Sequence, residues 1–183
     1  MALFKGRRRP PPLNEEKLGE LALRYVGRFA TTRSKLRAYL ERKVRERGWD
    51  GVRPPDLEVL ADRFASLGYI DDASYALAKS RALTGRGYGT RRVDQALRIA
   101  GIEEDDGAAA RELANDQAVE SALRFAERRR LGPFAKEWLA DPRDRQKAIA
   151  AMVRAGHSFA LANTIVALRP GTTIDREELA DLT

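Results

Sequence analysis

Apolar residues return along the chain at helical spacing. Leu18, Leu21, Ala22, Tyr25 and Phe29 fall on one face at steps of three and four. Leu36, Leu40 and Val44 follow at four-residue steps, and Leu57, Leu60, Ala61, Phe64 and Leu67 make a third stripe. Each stripe predicts an amphipathic helix with one buried face. Strand-like alternation is scarcely visible. The punctuation fits the same reading. Thr31 and Thr32 can cap the second helix, because a hydroxyl oxygen accepts from free N–H groups of a first turn. Pro54 and Pro55 suit the entry to the third, with Asp56 and Glu58 favoured by its dipole. Asp71, Asp141 before Pro142, and Ser158 are further N-caps. Gly48, Gly101 and Gly156 are placed to end helices in the left-handed conformation.

Those three glycines stand roughly 54 residues apart and expose a repeat. Four residues before them stand Val44, Leu97 and Met152, and eight before stand Leu40, Val93 and Ala148. Nine after stand Leu57, Ala110 and Ile165, and twelve after stand Leu60, Leu113 and Leu168. Ala-Leu pairs at 22–23, 76–77 and 122–123 open the three segments. The pattern predicts an all-α fold of three tandem three-helix repeats at 14–70, 71–118 and 119–170. They would stack in an elongated array, open to curvature. Residues 1–13 read as a basic, proline-stiffened, disordered arm, and 171–183 as an acidic tail, flexible or weakly helical. The third unit departs from the others: LGPFAKEWLADPRD, with Trp138, is a longer connection between its first two helices.

Composition narrows the chemistry. The 183 residues hold no cysteine, which removes disulfides, thiolate metal sites, iron–sulfur clusters and cysteine nucleophiles. The single histidine, His157, leaves no cluster of imidazole ligands and no ordinary serine triad. It follows a helix-ending glycine and reads as a turn residue, while Ser158 reads as a cap. Asp71-Asp72 and the acidic run Glu103–Asp106 could attract a cation, but capping and a solvated acidic loop account for them better. No catalytic residue, metal or cofactor is expected. No apolar run approaches the ~20 residues that span a bilayer. No secretory signal is read in MALFKGRRRPPP, so the expected compartment is the cytoplasm.

Charge points to a partner instead. The net charge is +7, which favours a polyanion or an acidic protein surface. The excess is zoned. Lys5, Arg7, Arg8 and Arg9 stand in residues 1–12 without an acid, and residues 31–50 carry seven bases against three acids. Residues 79–98 carry six bases against Asp94, whereas 103–120 carry seven acids against Arg111. Candidate contacts are Arg37, Arg42 and Lys43 on one second helix, Arg91, Arg92 and Arg98 on the next, and Arg145 and Lys147 on the third. Arg37, Arg91 or Arg92, and Arg145 fall near equivalent repeat positions, so stacking would line them into a stripe. The turn of Gly85, Arg86, Gly87, Tyr88 and Gly89 has three readings. It is a tight interhelical turn, a phosphate contact through Arg86, Arg91 and Arg92, or, least favoured, a nucleotide cradle without the usual strand and lysine. Tyr88 either stacks on a ligand or anchors the turn from inside.

Three segments carry a family resemblance. RGYGTRRVDQALRIAGI at 86–102, LGYIDDASYA at 67–76 and ALRYVGRFATTRSKLRAYLERKVRERG at 22–48 resemble the RecX regulatory-protein family. The resemblance implies an all-helical, non-enzymatic protein of three units that binds the RecA recombinase filament. It implies limits on filament growth, ATP hydrolysis and strand exchange in recombination and DNA repair. Contact with single- or double-stranded DNA is a further expectation, and the protein would act as a monomer away from membranes. The alternative is a stand-alone basic DNA-binding protein or transcriptional regulator.

Overall fold

The structure is a computed structural model that describes residues 10–183. The charged part of the basic arm (Lys5 and Arg7 to Arg9) lies outside the described residues. These contain ten α-helices and one short 3-10 helix, with no strand longer than a single bridge. They divide into two compact units, the first ending at Asp72 and the second Ala73–Thr183.

In the first unit, α1 (Glu15–Val26), α2 (Arg33–Arg47) and α3 (Leu57–Ser66) enclose one apolar cluster. Each starts on a side-chain cap. Asn14 accepts from Lys17 N–H, Thr32 from Lys35 N–H and Asp56 from Val59 N–H. Leu18, Ala22, Leu36, Leu40, Ala61 and Phe64 are buried, as the stripes require. Phe29 and Leu67 lie past the ends of their helices and are exposed, since the helical period no longer carries them inward. Leu13 departs from the expected arm. It is fully buried, donates its N–H to Gly48 O (2.9 Å) and accepts at its carbonyl from Asp50 N–H (2.8 Å). The helix end at Gly48 makes this possible. Its φ of 83° comes with ψ of 168°, which is extended and not left-handed helical, so the chain leaves α2 as a short edge that Leu13 pairs with.

The second unit holds α4 (Asp72–Gly85), α5 (Thr90–Ala100) and α6 (Glu104–Asp116) around one cluster, with Asp72 counted in the first unit. It also holds α7 (Ala118–Arg129), α8 (Pro142–Arg154), α9 (Phe159–Ala167) and α10 (Arg176–Ala180) around another. Two helix ends here are built alike. Ile102 N–H reaches Leu97 O and Gly101 N–H reaches Arg98 O, with Gly101 at φ 67°. His157 N–H reaches Met152 O and Gly156 N–H reaches Val153 O, with Gly156 at φ 101°. These are the paired bonds of the glycine-ended helix. The alanines of the three Ala-Leu pairs, Ala22, Ala76 and Ala122, are all fully buried.

Three segments are more ordered than the sequence suggests. The acidic run is not a loop: Glu104, Asp105 and Asp106 form the first turn of α6, where the helix dipole favours them. The long connection is pinned by a 3-10 helix at Gly132–Phe134 and by Gly171 N–H donating to Pro133 O (2.9 Å). The acidic tail forms α10, with Leu179 buried in the third cluster and Arg176 paired to Glu120 at 2.8 Å. Leu13→Ala should cost about 2–5 kcal/mol in chemical denaturation. Val52→Ala, at a fully exposed position, should stay within about 0.5 kcal/mol.

Candidate partner-binding surface

The basic turn between α4 and α5 is a structural joint. Helix α4 ends with Tyr88 N–H on Leu83 O (3.1 Å) and Gly87 N–H on Thr84 O (2.9 Å). The turn then lies directly on backbone. A Cβ at Gly87 would stand 2.9 Å from Phe125 N, and one at Gly89 would stand 2.4 Å from Gly156 O. A Cβ at Gly156 would meet Arg92 N at 2.5 Å. Only glycine permits this approach. Gly89 N–H donates to Ala155 O (3.0 Å) and Arg91 N–H to Gly156 O (3.2 Å). Arg92 and Val93 N–H both turn to Gly89 O. Donors that a phosphate cradle would need are therefore spent inside the protein. Of the three readings, the nucleotide cradle fails and the tight turn holds. Tyr88 packs against the third cluster, and the Arg92 guanidinium lies 5.9 Å from its ring centroid.

His157 completes the joint, which the sequence did not show. It is buried, its Nε2 lies 3.1 Å from Gly87 O, and Phe125 meets its ring edge-on. Burial lowers its pKa from 6.5 to about 4, against a smaller raising effect of the Gly87 carbonyl. The histidine thus takes a position a hydrophobic residue fills elsewhere: Ile102, also directly after a helix-ending glycine, is buried as well.

The candidate bases fall into two groups. On the first unit, Arg37 is paired with Glu58, and Lys43 with Glu46 at 2.6 Å. Arg42 approaches Glu46 at 3.7 Å, and both Arg42 and Lys43 lie over the Tyr39 ring, at 5.7 and 5.9 Å. The Lys43 hydrogen bond holds the Glu46 carboxyl below its ordinary range. Tyr39 in turn stacks on Tyr25 at 4.2 Å. On the second unit, Arg86, Arg91 and Arg98 are exposed and have no carboxylate partner among the described residues. Arg92 donates to Gln95 (2.9 Å), Lys147 pairs with Asp144 (2.9 Å), and Arg145 lies over Trp138. The structure joins Tyr88 with Arg92, and Arg42 with Lys43, but leaves Lys147 in a local pair of its own.

Asp72 is buried and accepts from Arg33 N–H (3.1 Å) and Arg33 Nε (3.0 Å), so its carboxylate serves the start of α2. Among the described residues no cluster of acids and histidine could hold a metal ion, and no helix is long and apolar enough to cross a membrane.

No family model matches the chain. A regulatory protein RecX from Myxococcus xanthus (strain DK1622) is 30% identical over 175 residues, covering 91% of this chain and 92% of that protein. The crystal structure of RecX from Lactobacillus salivarius superposes with a TM-score of 0.58 at 18% identity, over 82% of this chain and 93% of that one. A second crystal structure of a regulatory protein RecX gives a TM-score of 0.57 at 21% identity, over 82% and 70%. Both share the all-helical fold.

The joint makes stability depend on pH. In the unfolded chain His157 takes up a proton near pH 6.5, and in the fold only near pH 4. Stability is therefore full above that upper value and falls as the pH drops through the window between them. The loss is on the order of 3 kcal/mol. Urea unfolding from pH 7.5 to 4 should show this slope, and His157→Gln should flatten it. An unchanged slope in the variant would place the titrating group elsewhere.

Proposed function

Because the chain belongs to the RecX family of regulatory proteins, we propose that it binds the RecA recombinase filament and limits its assembly, ATP hydrolysis and strand exchange. The observation that carries this reading is the surface around the joint. Arg86, Arg91 and Arg98 are exposed and lack acid partners among the described residues; Arg86 and Arg91 flank a turn that cannot shift without breaking backbone contacts, and Arg98 stands about two helical turns further along α5. Unneutralised guanidiniums on a fixed support suit an acidic protein face or a phosphate row. A ligand with different affinity for two filament states shifts the balance between them. Such binding regulates without chemistry at this chain. Equivalent burial at Ala22, Ala76 and Ala122, together with the three apolar clusters, supports three tandem helical units, the first reaching back to Leu13 and the third taking in α10. The protein acts in the cytoplasm as a monomer.

The net charge of +7 favours a second reading, direct DNA binding without the recombinase. The two separate in solution. On the first, the protein slows RecA ATPase and strand exchange at concentrations where it leaves free DNA largely unbound. Tight DNA binding with steep salt dependence and no effect on RecA would favour the second. Arg91→Ala with Arg92→Ala should keep full helicity and raise the concentration for half-inhibition roughly tenfold. Unchanged inhibition would move the contact off this surface.

A further inference from the structure

The long connection of the third unit ends in a feature with no role in the joint. Gly132 holds its start so close to α9 that a Cβ there would fall 2.0 Å from Ile165 O. Phe134 and Leu139 pack against the third cluster. On this anchored segment Trp138 remains 39% exposed. Two guanidiniums converge on it, Arg145 at 5.6 Å and Arg169 at 5.9 Å from the ring centroid. Arg145 is steadied by donating to Leu139 O (3.2 Å). Neither arginine has a carboxylate partner among the described residues, although Lys147 and Arg176 of the same unit do. The nearby acids are otherwise placed. Asp144 pairs with Lys147, Asp141 accepts from Arg143 N–H, and Glu137 is exposed.

Arg145 also lines a groove of about 240 Å³ between α8 and α9. Ile149 and Val166 supply apolar wall, and Gln146 and Asn163 supply amides. The groove is smaller than the roughly 300–1,000 Å³ of sites for drug-sized ligands, so it suits one ring system. Apolar walls with two amides fit a nucleobase and its polar edge. Two unneutralised guanidiniums beside it fit a phosphate, which they can bind in a planar, two-pronged way. The partly exposed indole, with both guanidiniums over its ring, holds them together beside the groove and reports on what they bind. We propose that the α8–α9 groove, with Arg145, Arg169 and Trp138 beside it, binds one base and its phosphate from a single-stranded nucleic acid. A duplex does not fit this description, because its bases are stacked and paired inside. An acidic peptide would use the guanidiniums but neither the groove nor the amides. The inference rests on the proposed function only for the source of the strand, since a recombinase filament carries one; the binding needs no recombinase.

The full chain carrying Trp49→Phe leaves Trp138 as its one tryptophan. Titration with a short mixed-sequence DNA oligonucleotide should quench Trp138 fluorescence saturably. Arg145→Ala with Arg169→Ala should weaken that binding about tenfold or more. If the Arg145 variant fails to fold, Arg169→Ala alone, at an exposed position outside the helices, carries the comparison. A duplex of the same sequence should bind more weakly, and inorganic phosphate should compete only at high concentration. Absent quenching, binding unaffected by loss of the arginines, or equal quenching by a polyglutamate peptide would overturn the proposal. RecA inhibition measured on the same variants is a separate readout, so failure of the groove is distinguishable from failure of the proposed function.

Discussion

The second unit depends on one contact: backbone laid on backbone where Gly87 and Gly89 meet Phe125 and Gly156. Side chains ordinarily hold helices ~8–10 Å apart. Here their absence lets the α4–α5 turn hydrogen-bond directly to the end of α8, through Gly89 N–H to Ala155 O and Arg91 N–H to Gly156 O. The buried His157 closes the same joint from the other side by meeting Gly87 O. Two apolar clusters that would each be small are thereby fixed to one another. The cost is a set of positions where no other residue fits, and a buried imidazole that must stay neutral.

The joint also decides what the basic residues can do. With turn amides engaged inside, the outward chemistry around it is carried by side chains. Arg86, Arg91 and Arg98 face solvent without acids, while Arg37 and Lys43 on the first unit are already matched by Glu58 and Glu46. Exposed pairs of that kind add little stability and leave little unbalanced charge. The two sequence zones carry nearly equal excesses of base, yet the fold pairs Arg33, Arg37, Arg42 and Lys43 of one with carboxylates and leaves Arg86, Arg91 and Arg98 of the other without them among the described residues.

Much of the fold was legible beforehand because helices announce themselves through period and punctuation. Thr32, Asp56, Asp141 and Ser158 cap as their positions suggest, and Leu40, Val93 and Ala148 are buried at matching places. Contacts distant in sequence were not legible. Nothing local says that Leu13 pairs with the chain after α2, that Asp72 serves Arg33, or that His157 reaches Gly87 seventy residues away. Glycine spacing marked the turn but not whether its N–H groups face a ligand or another helix. The clue available was the placing of the glycines: Gly87, Gly89 and Gly156 all lie at segment junctions, where close approach requires missing side chains.

Arginine-specific chemical modification, read by mass spectrometry on the full chain alone and with RecA filaments, tests the partner surface most directly. Strong protection of Arg86, Arg91 and Arg98, with Arg53, exposed in the loop before α3 of the first unit, unchanged, is the predicted result. Undiminished reactivity at those three positions while other arginines become protected would contradict it.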